Sequence, residues 1–184
     1  MKRRGAGNEA ADTSTLVHEL VDFVRARFRA SMVGQGCSGD LVDAVFAVSP
    51  PDPVVLFQKV QAIRGISGTA DFLPIMHTFK RVLNITRGQD EPSPDRASFT
   101  EPMEHELFEA VAAVESEVAR AVEAPDFPLA LEQILTLQSP VATFFDQVLV
   151  DAKDPVLKAV RIGLLLRVAR VFLQVADFSR ISTR

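Results

Sequence analysis

Tryptophan and tyrosine are both missing from this chain of 184 residues, whose aromatic surface rests entirely on 13 phenylalanines. Any ring that stacks on a flat ligand must therefore be Phe, a ring without a hydrogen-bonding handle, or else a planar guanidinium must take its place. Cys37 is the only cysteine, which excludes an internal disulfide and a multi-thiolate zinc or iron–sulfur centre and fits a reducing, cytoplasmic setting. The three histidines, His18, His77 and His105, are far apart. No two share the four-residue spacing of a zincin helix, so no metal site is expected. There is no Glu-x-x-His pair, no glycine-rich phosphate loop and no Gly-x-Ser-x-Gly turn, and no catalytic site is expected in this chain. Long apolar runs are missing too. The densest, 160–175, is interrupted by Arg161, Arg167, Arg170 and Gln174, so it reads as a core helix and not as a membrane span. Lys2, Arg3 and Arg4 precede no apolar stretch, and residues 1–12 read as a disordered leader to one domain over 13–184.

What is present is helical period. Leu16, Leu20 and Phe23, with Val17, Val21, Val24 and Phe28, make a broad apolar stripe over 13–33 that Gly34 and Gly36 end. A short helix follows Ser38. Asp52-Pro53, Ser139-Pro140 and Asp154-Pro155 each read as an N-cap followed by proline at the first helical position. Further helices are expected over about 52–68, 70–87, 102–122, 127–137, 140–150 and 155–175, with one long loop over 89–100 and no strand. The expected fold is all-α, a bundle of about eight helices.

Charge is distributed unevenly along this framework. The chain carries 20 Lys and Arg against 24 Asp and Glu, a formal charge of −4, which excludes a uniformly basic nucleic-acid binder and gives no reason to expect DNA as a partner. Residues 1–88 nevertheless carry 11 cationic against 8 acidic side chains, and residues 154–184 carry 6 against 2, while 89–126 hold 11 acids and only two arginines. The fourth helix sets Phe72, Ile75, Met76, Phe79, Val82 and Leu83 on one face and His77, Lys80, Arg81, Asn84 and Arg87 on another. That second face is either a solvated surface or a ridge for phosphates, with Asn84 free to meet a base edge. In the last helix Arg161 falls inside the apolar sector with Lys158 at its edge. A guanidinium there needs a carboxylate or a ligand anion, and Asp146 and Asp177 are the candidate partners for a structural ion pair.

Four blocks in order carry a family resemblance: Lys80-Arg81-Val82-Leu83-Asn84-Ile85, Pro140 to Val150 with Phe144-Phe145-Asp146 at its centre, Arg161-Ile162-Gly163-Leu164-Leu165, and Ala176-Asp177-Phe178-Ser179-Arg180-Ile181. Together they resemble the C-terminal region of bacterial glycyl-tRNA synthetase beta subunits, over about residues 16–181. The resemblance implies an all-helical anticodon-binding domain, named for an Asp-Ala-Leu-Arg signature that stands here as Asp154-Pro155-Val156-Leu157-Lys158. Where the family usually has Met and Asn, this chain has Asp151 and Val160.

The resemblance further implies glycine tRNA as partner, held at its anticodon stem-loop by Lys80, Arg81, Asn84, Arg87, Lys158 and Arg161. It implies the remainder of the beta subunit and the separate alpha subunit as protein partners, with ATP and magnesium used only at the alpha subunit. Family beta subunits are several times longer, so this chain is expected to correspond to one isolated domain. The competing reading of the residues is a helical protein–protein interaction module that binds no RNA.

Overall fold

The computed structural model describes residues 6–69, 72–90 and 94–182, with side chains from Thr15 onward. Among the described residues the chain forms α1 (Ala6–Gly34), α2 (Gly39–Phe46), α3 (Pro53–Ile66), α4 (Phe72–Thr86), α5 (Pro102–Glu123), α6 (Phe127–Leu135), α7 (Gln138–Gln147) and α8 (Pro155–Phe172), with single 3₁₀ turns at Arg96–Ser98 and Phe178–Arg180 and no strand. None of these helices is long and apolar enough to cross a membrane.

Local chemistry sets the helix ends. Asp52 Oδ1 accepts from the backbone N–H of Val54 at 2.8 Å and of Val55 at 3.2 Å, and Asp154 Oδ1 accepts from Val156 N–H at 2.8 Å. The first residue of the Asp-Ala-Leu-Arg signature is thus the N-cap of α8. Ser139-Pro140 differs from expectation. Leu137 is the residue at the N-cap of α7, and Ser139 and Pro140 lie inside its first turn, where a proline is tolerated because those N–H groups have no helical acceptor. Asp126 caps α6 instead, accepting from Leu129 N–H at 3.1 Å. Gly36 and Gly88 follow α1 and α4 at φ +84° and +73°, the left-handed region in which a helix is stopped without a Cβ penalty. Helix α1 begins at Ala6, so part of the segment expected as a leader is helical and the rest, residues 1–5, lies outside the described residues.

The order of packing places α4 at the centre of one side. It packs on α8, on α7 and on the 178–180 turn, while α5 packs on α6, α7 and α8, and α1 reaches the rest through α2. Three fully buried rings fix the α4–α8 contact: Phe79 lies 3.9 Å from Phe172 and 5.4 Å from Phe178, measured between centroids. The apolar stripe of α1 behaves differently. Leu16, Val17, Leu20 and Phe23 are exposed, Phe23 by 68%, and only the C-terminal end of the helix, at Phe28 and Met32, enters the core.

Candidate nucleic-acid interface

Burying Phe72, Ile75, Met76, Phe79, Val82 and Leu83 turns the opposite side of α4 outward. His77, Arg81, Asn84 and Arg87 are exposed on it and Lys80 is half-buried. Arg81 is held there by α7. Its guanidinium carbon lies 3.9 Å from the centroid of the Phe145 ring, a cation–π contact made by a residue that stays exposed. Phe145 is itself 8% exposed, so an exposed arginine rests on a buried ring.

Beside this stack runs a groove of about 470 Å³ between α4 and the segment that leaves α7, with Arg81 and Ile85 on one wall and Phe145, Asp146 and 147–151 on the other. The second wall exists because α7 ends early: Val148 takes an extended conformation and the helix expected to reach 150 stops at Gln147. Asp146 is exposed on the groove. At its far end Asp151 accepts from Lys158 Nζ at 2.7 Å, and this ammonium holds the Asp151 carboxyl below its ordinary value near 3.8. Lys158 therefore joins the rim of the groove, already partnered.

Arg87 points elsewhere. Its Nη2 donates to Ser179 Oγ at 3.0 Å, across a second cleft between the C-terminal ends of α4 and α8 that Arg170 also lines. Asp177, expected as a partner of Arg161, caps the 178–180 turn by accepting from Ser179 N–H at 3.1 Å and from Arg180 Nε at 3.0 Å. Burial alone would raise the Asp177 carboxyl, but the hydrogen bonds from Ser179 and Arg180 outweigh it and hold it low.

Arg161 is the principal departure from the sequence reading. It is buried, and its carboxylate partner is neither Asp146 nor Asp177 but Glu104: Nε donates to Glu104 Oε1 at 2.7 Å, with side chains 7% and 0% exposed. Its Nη1 donates to the Leu149 carbonyl at 2.9 Å. Glu104 Oε2 accepts from the N–H groups of Thr100 at 2.6 Å and Glu101 at 3.0 Å, so one carboxylate both caps the start of α5 and neutralises α8. Buried under the groove wall with Nε and Nη1 engaged, Arg161 holds the 148–151 segment from within. A signal for its partner stood in the sequence: Glu101-Pro102-Met103-Glu104 has the three-residue spacing of a capping box before an apolar run.

The remaining acids of α5 are also largely engaged. Glu115 takes both prongs of Arg167 of α8, at 2.7 Å each, and Glu109 pairs with Arg96 at 2.6 Å. The face of α5 toward α8 therefore neutralises two of that helix's arginines, Arg161 and Arg167.

Comparison with known proteins agrees with this geometry. Residues 75–182, which span α4 to the 178–180 turn and hence the whole ridge and groove, match the DALR anticodon binding domain. Over 175 residues the chain is 37% identical to the glycine–tRNA ligase beta subunit of Anaeromyxobacter dehalogenans strain 2CP-C, covering 94% of this chain and 25% of that protein. The beta subunit of Psychromonas ingrahamii is 35% identical over 167 residues and that of Myxococcus xanthus strain DK1622 is 37% identical over 169, each covering 89% of this chain and 24% of the relative. The chain spans about a quarter of the length of these curated relatives. With an all-α fold, and with the match running through the elements that build the exposed ridge, the chain belongs to the DALR anticodon binding domain family.

Proposed function

We propose that this domain binds the anticodon stem-loop of glycine tRNA and thereby supports the ligation of glycine to that tRNA by a synthetase whose alpha subunit performs the chemistry. The observation that carries this reading is the Arg81–Phe145 contact, in which an exposed guanidinium steadied by a buried ring lines the same groove as the exposed carboxylate of Asp146. Unstacked loop bases are read by stacking on flat groups and by hydrogen bonds to their edges, and cytosine presents an N4 donor that a carboxylate accepts. In a chain without Trp or Tyr, an arginine steadied by a buried Phe is the flat group present.

Lys80, Asn84 and Arg87 extend the donor surface along α4 for the backbone of the loop, and Lys158 contributes at the rim once Asp151 releases it. Arg161 is withdrawn from the RNA-binding set because it is buried and paired. The remainder of the beta subunit and the alpha subunit are the protein partners this reading requires.

The test is binding of glycine tRNA and of an anticodon-substituted version to the folded chain. We expect retention that depends on the anticodon and is lost in the Lys80→Glu/Arg81→Glu variant. Equal binding of both tRNAs, or unchanged binding by that variant, overturns the assignment. A protein-docking reading has one observation in its favour, the exposed Leu16, Val17, Leu20 and Phe23 of α1. No tRNA retention at all, together with capture of the other synthetase subunits through α1, would select it.

A further inference from the structure

A third cleft, of about 340 Å³, opens on the flank of the molecule between α1, α2 and the 178–180 turn, and three guanidinium groups line it: Arg25, Arg29 and Arg180. Only one carboxylate, Asp43, faces them in the lining, and it is taken by Arg29, which donates from Nε at 2.8 Å and Nη2 at 3.0 Å. The acids around the cleft are committed as well. Asp177 caps the 178–180 turn and holds Arg180 from behind, and Asp40 accepts from the N–H groups of Leu41 and Ser182.

Among the described residues Arg25 has no such counter-charge: its guanidinium carbon lies 5.8 Å from the Phe46 ring centroid, and its Nε is buried without a hydrogen-bond partner from that set. A guanidinium with one unmet donor that lines an open cationic cleft carries charge an entering anion can compensate, since an unmade bond costs the desolvation of that group.

The cleft also joins the proposed RNA surface. Ser179, which accepts from Arg87 at the end of the α4 ridge, is followed directly by Arg180. Arg87 and Arg170 thus line one cleft and Arg180, Arg29 and Arg25 another, the two touching the 178–180 turn from either side, and cations spaced along grooves in this way suit a sugar–phosphate backbone.

We propose that the Arg25–Arg29–Arg180 cleft is a second phosphodiester site, outside the anticodon ridge, that takes the backbone of the same RNA. The inference rests on the RNA-binding reading above and adds to it a contact that is blind to sequence. Phosphate contacts position a nucleic acid and contribute affinity and salt dependence uniformly, without discriminating between bases.

The experiment compares wild type with Arg25→Gln/Arg180→Gln, which leaves the Arg29–Asp43 tie between α1 and α2 in place, and with Arg25→Lys/Arg180→Lys. Binding of glycine tRNA and of its anticodon-substituted version is measured from low to moderate salt, with helical content checked by circular dichroism. The glutamine variant should weaken both tRNAs by the same factor, keep the ratio between them, and reduce the salt slope by about 1 per arginine removed, with the lysine variant restoring most of the slope.

Unchanged affinity and slope in a folded glutamine variant, with wild type binding normally, overturns the second site and leaves the anticodon ridge standing. A changed ratio between the two tRNAs also overturns it, because the cleft would then read bases. Absence of wild-type tRNA binding brings down both readings together. Retention of wild type, but not of the glutamine variant, on phosphatidylserine vesicles while tRNA binding is unaltered assigns the cleft to a lipid surface and overturns the RNA assignment.

Discussion

Glu104 shows how one side chain can serve two elements. Burial pushes its carboxyl up, but the hydrogen bonds from Arg161, Glu101 and Thr100 outweigh burial and set it below its ordinary value near 4.5. A carboxyl depressed in the folded state contributes stability that is complete above the unfolded value and is lost as pH falls through the folded one. The Glu104→Gln variant should therefore be destabilised by about 3 to 5 kcal/mol at neutral pH, since it leaves Arg161 buried without its counter-charge, and the gap to wild type should narrow below pH 4.5. Urea unfolding at both pH values measures it.

Lys59 is shifted in the same direction for a different reason, desolvation of its charged form. It is buried, with Nζ donating to Ser49 Oγ at 2.9 Å and the Gln174 carbonyl at 2.8 Å, and desolvation lowers its pKa from 10.5. Below the folded value the charged form bears this desolvation cost, and the cost is relieved as pH rises toward 10.5. The difference in Tm between wild type and Lys59→Met should accordingly shift in favour of wild type through the alkaline range. At this scale the sequence was partly legible. Arg161 stood out on a helical wheel, whereas the capping-box spacing marks Glu104 only as the start of α5, and its pairing with an arginine 57 positions away depends on how that start meets α8.

For the elements, the most informative feature is the shared end of α7 and start of α8. Asp154 caps α8 and, with Lys158 bound to Asp151, fixes the turn that forms the groove wall. Asp154→Ala should cost about 1 kcal/mol of stability, read as a fall in the urea midpoint at unchanged m. Helix starts were legible because aspartate–proline pairs mark them directly. The premature end of α7 was not, because the apolar residues Val148, Leu149 and Val150 continue the hydrophobic character of the helix while the chain turns extended.

Helix α1 illustrates a different limit. Its stripe has the period of a packed helix, yet among the described residues nothing covers Leu16, Val17, Leu20 and Phe23. Periodicity reports that a face is apolar; it does not report what lies against it.

Across the whole molecule, a net charge of −4 hides an internal division. Two acids of α5 are taken by Arg161 and Arg167 of α8, so part of the cationic excess counted near the C-terminus is spent against the bundle. The cations of α4 and of the α1–α2 flank remain at the surface. Association should thus be steered by a local field opposed to the global charge, and the rate of tRNA capture should fall steeply with ionic strength despite a pI of about 5.4. Stopped-flow association at two salt concentrations checks this, and a salt-independent rate would count against it. All-α architecture and helix order were legible because period, caps and glycine stops agree; the distribution of charge between core and surface emerged only from packing.

The Arg81–Phe145 stack has a spectroscopic consequence. With neither tryptophan nor tyrosine in the chain, the protein is dark under excitation near 295 nm, and Phe145→Trp would place the sole indole beneath the guanidinium at the edge of the groove. Its emission would begin against no background from this chain and report on what enters that groove, so a titration with RNA could follow occupancy of this one platform.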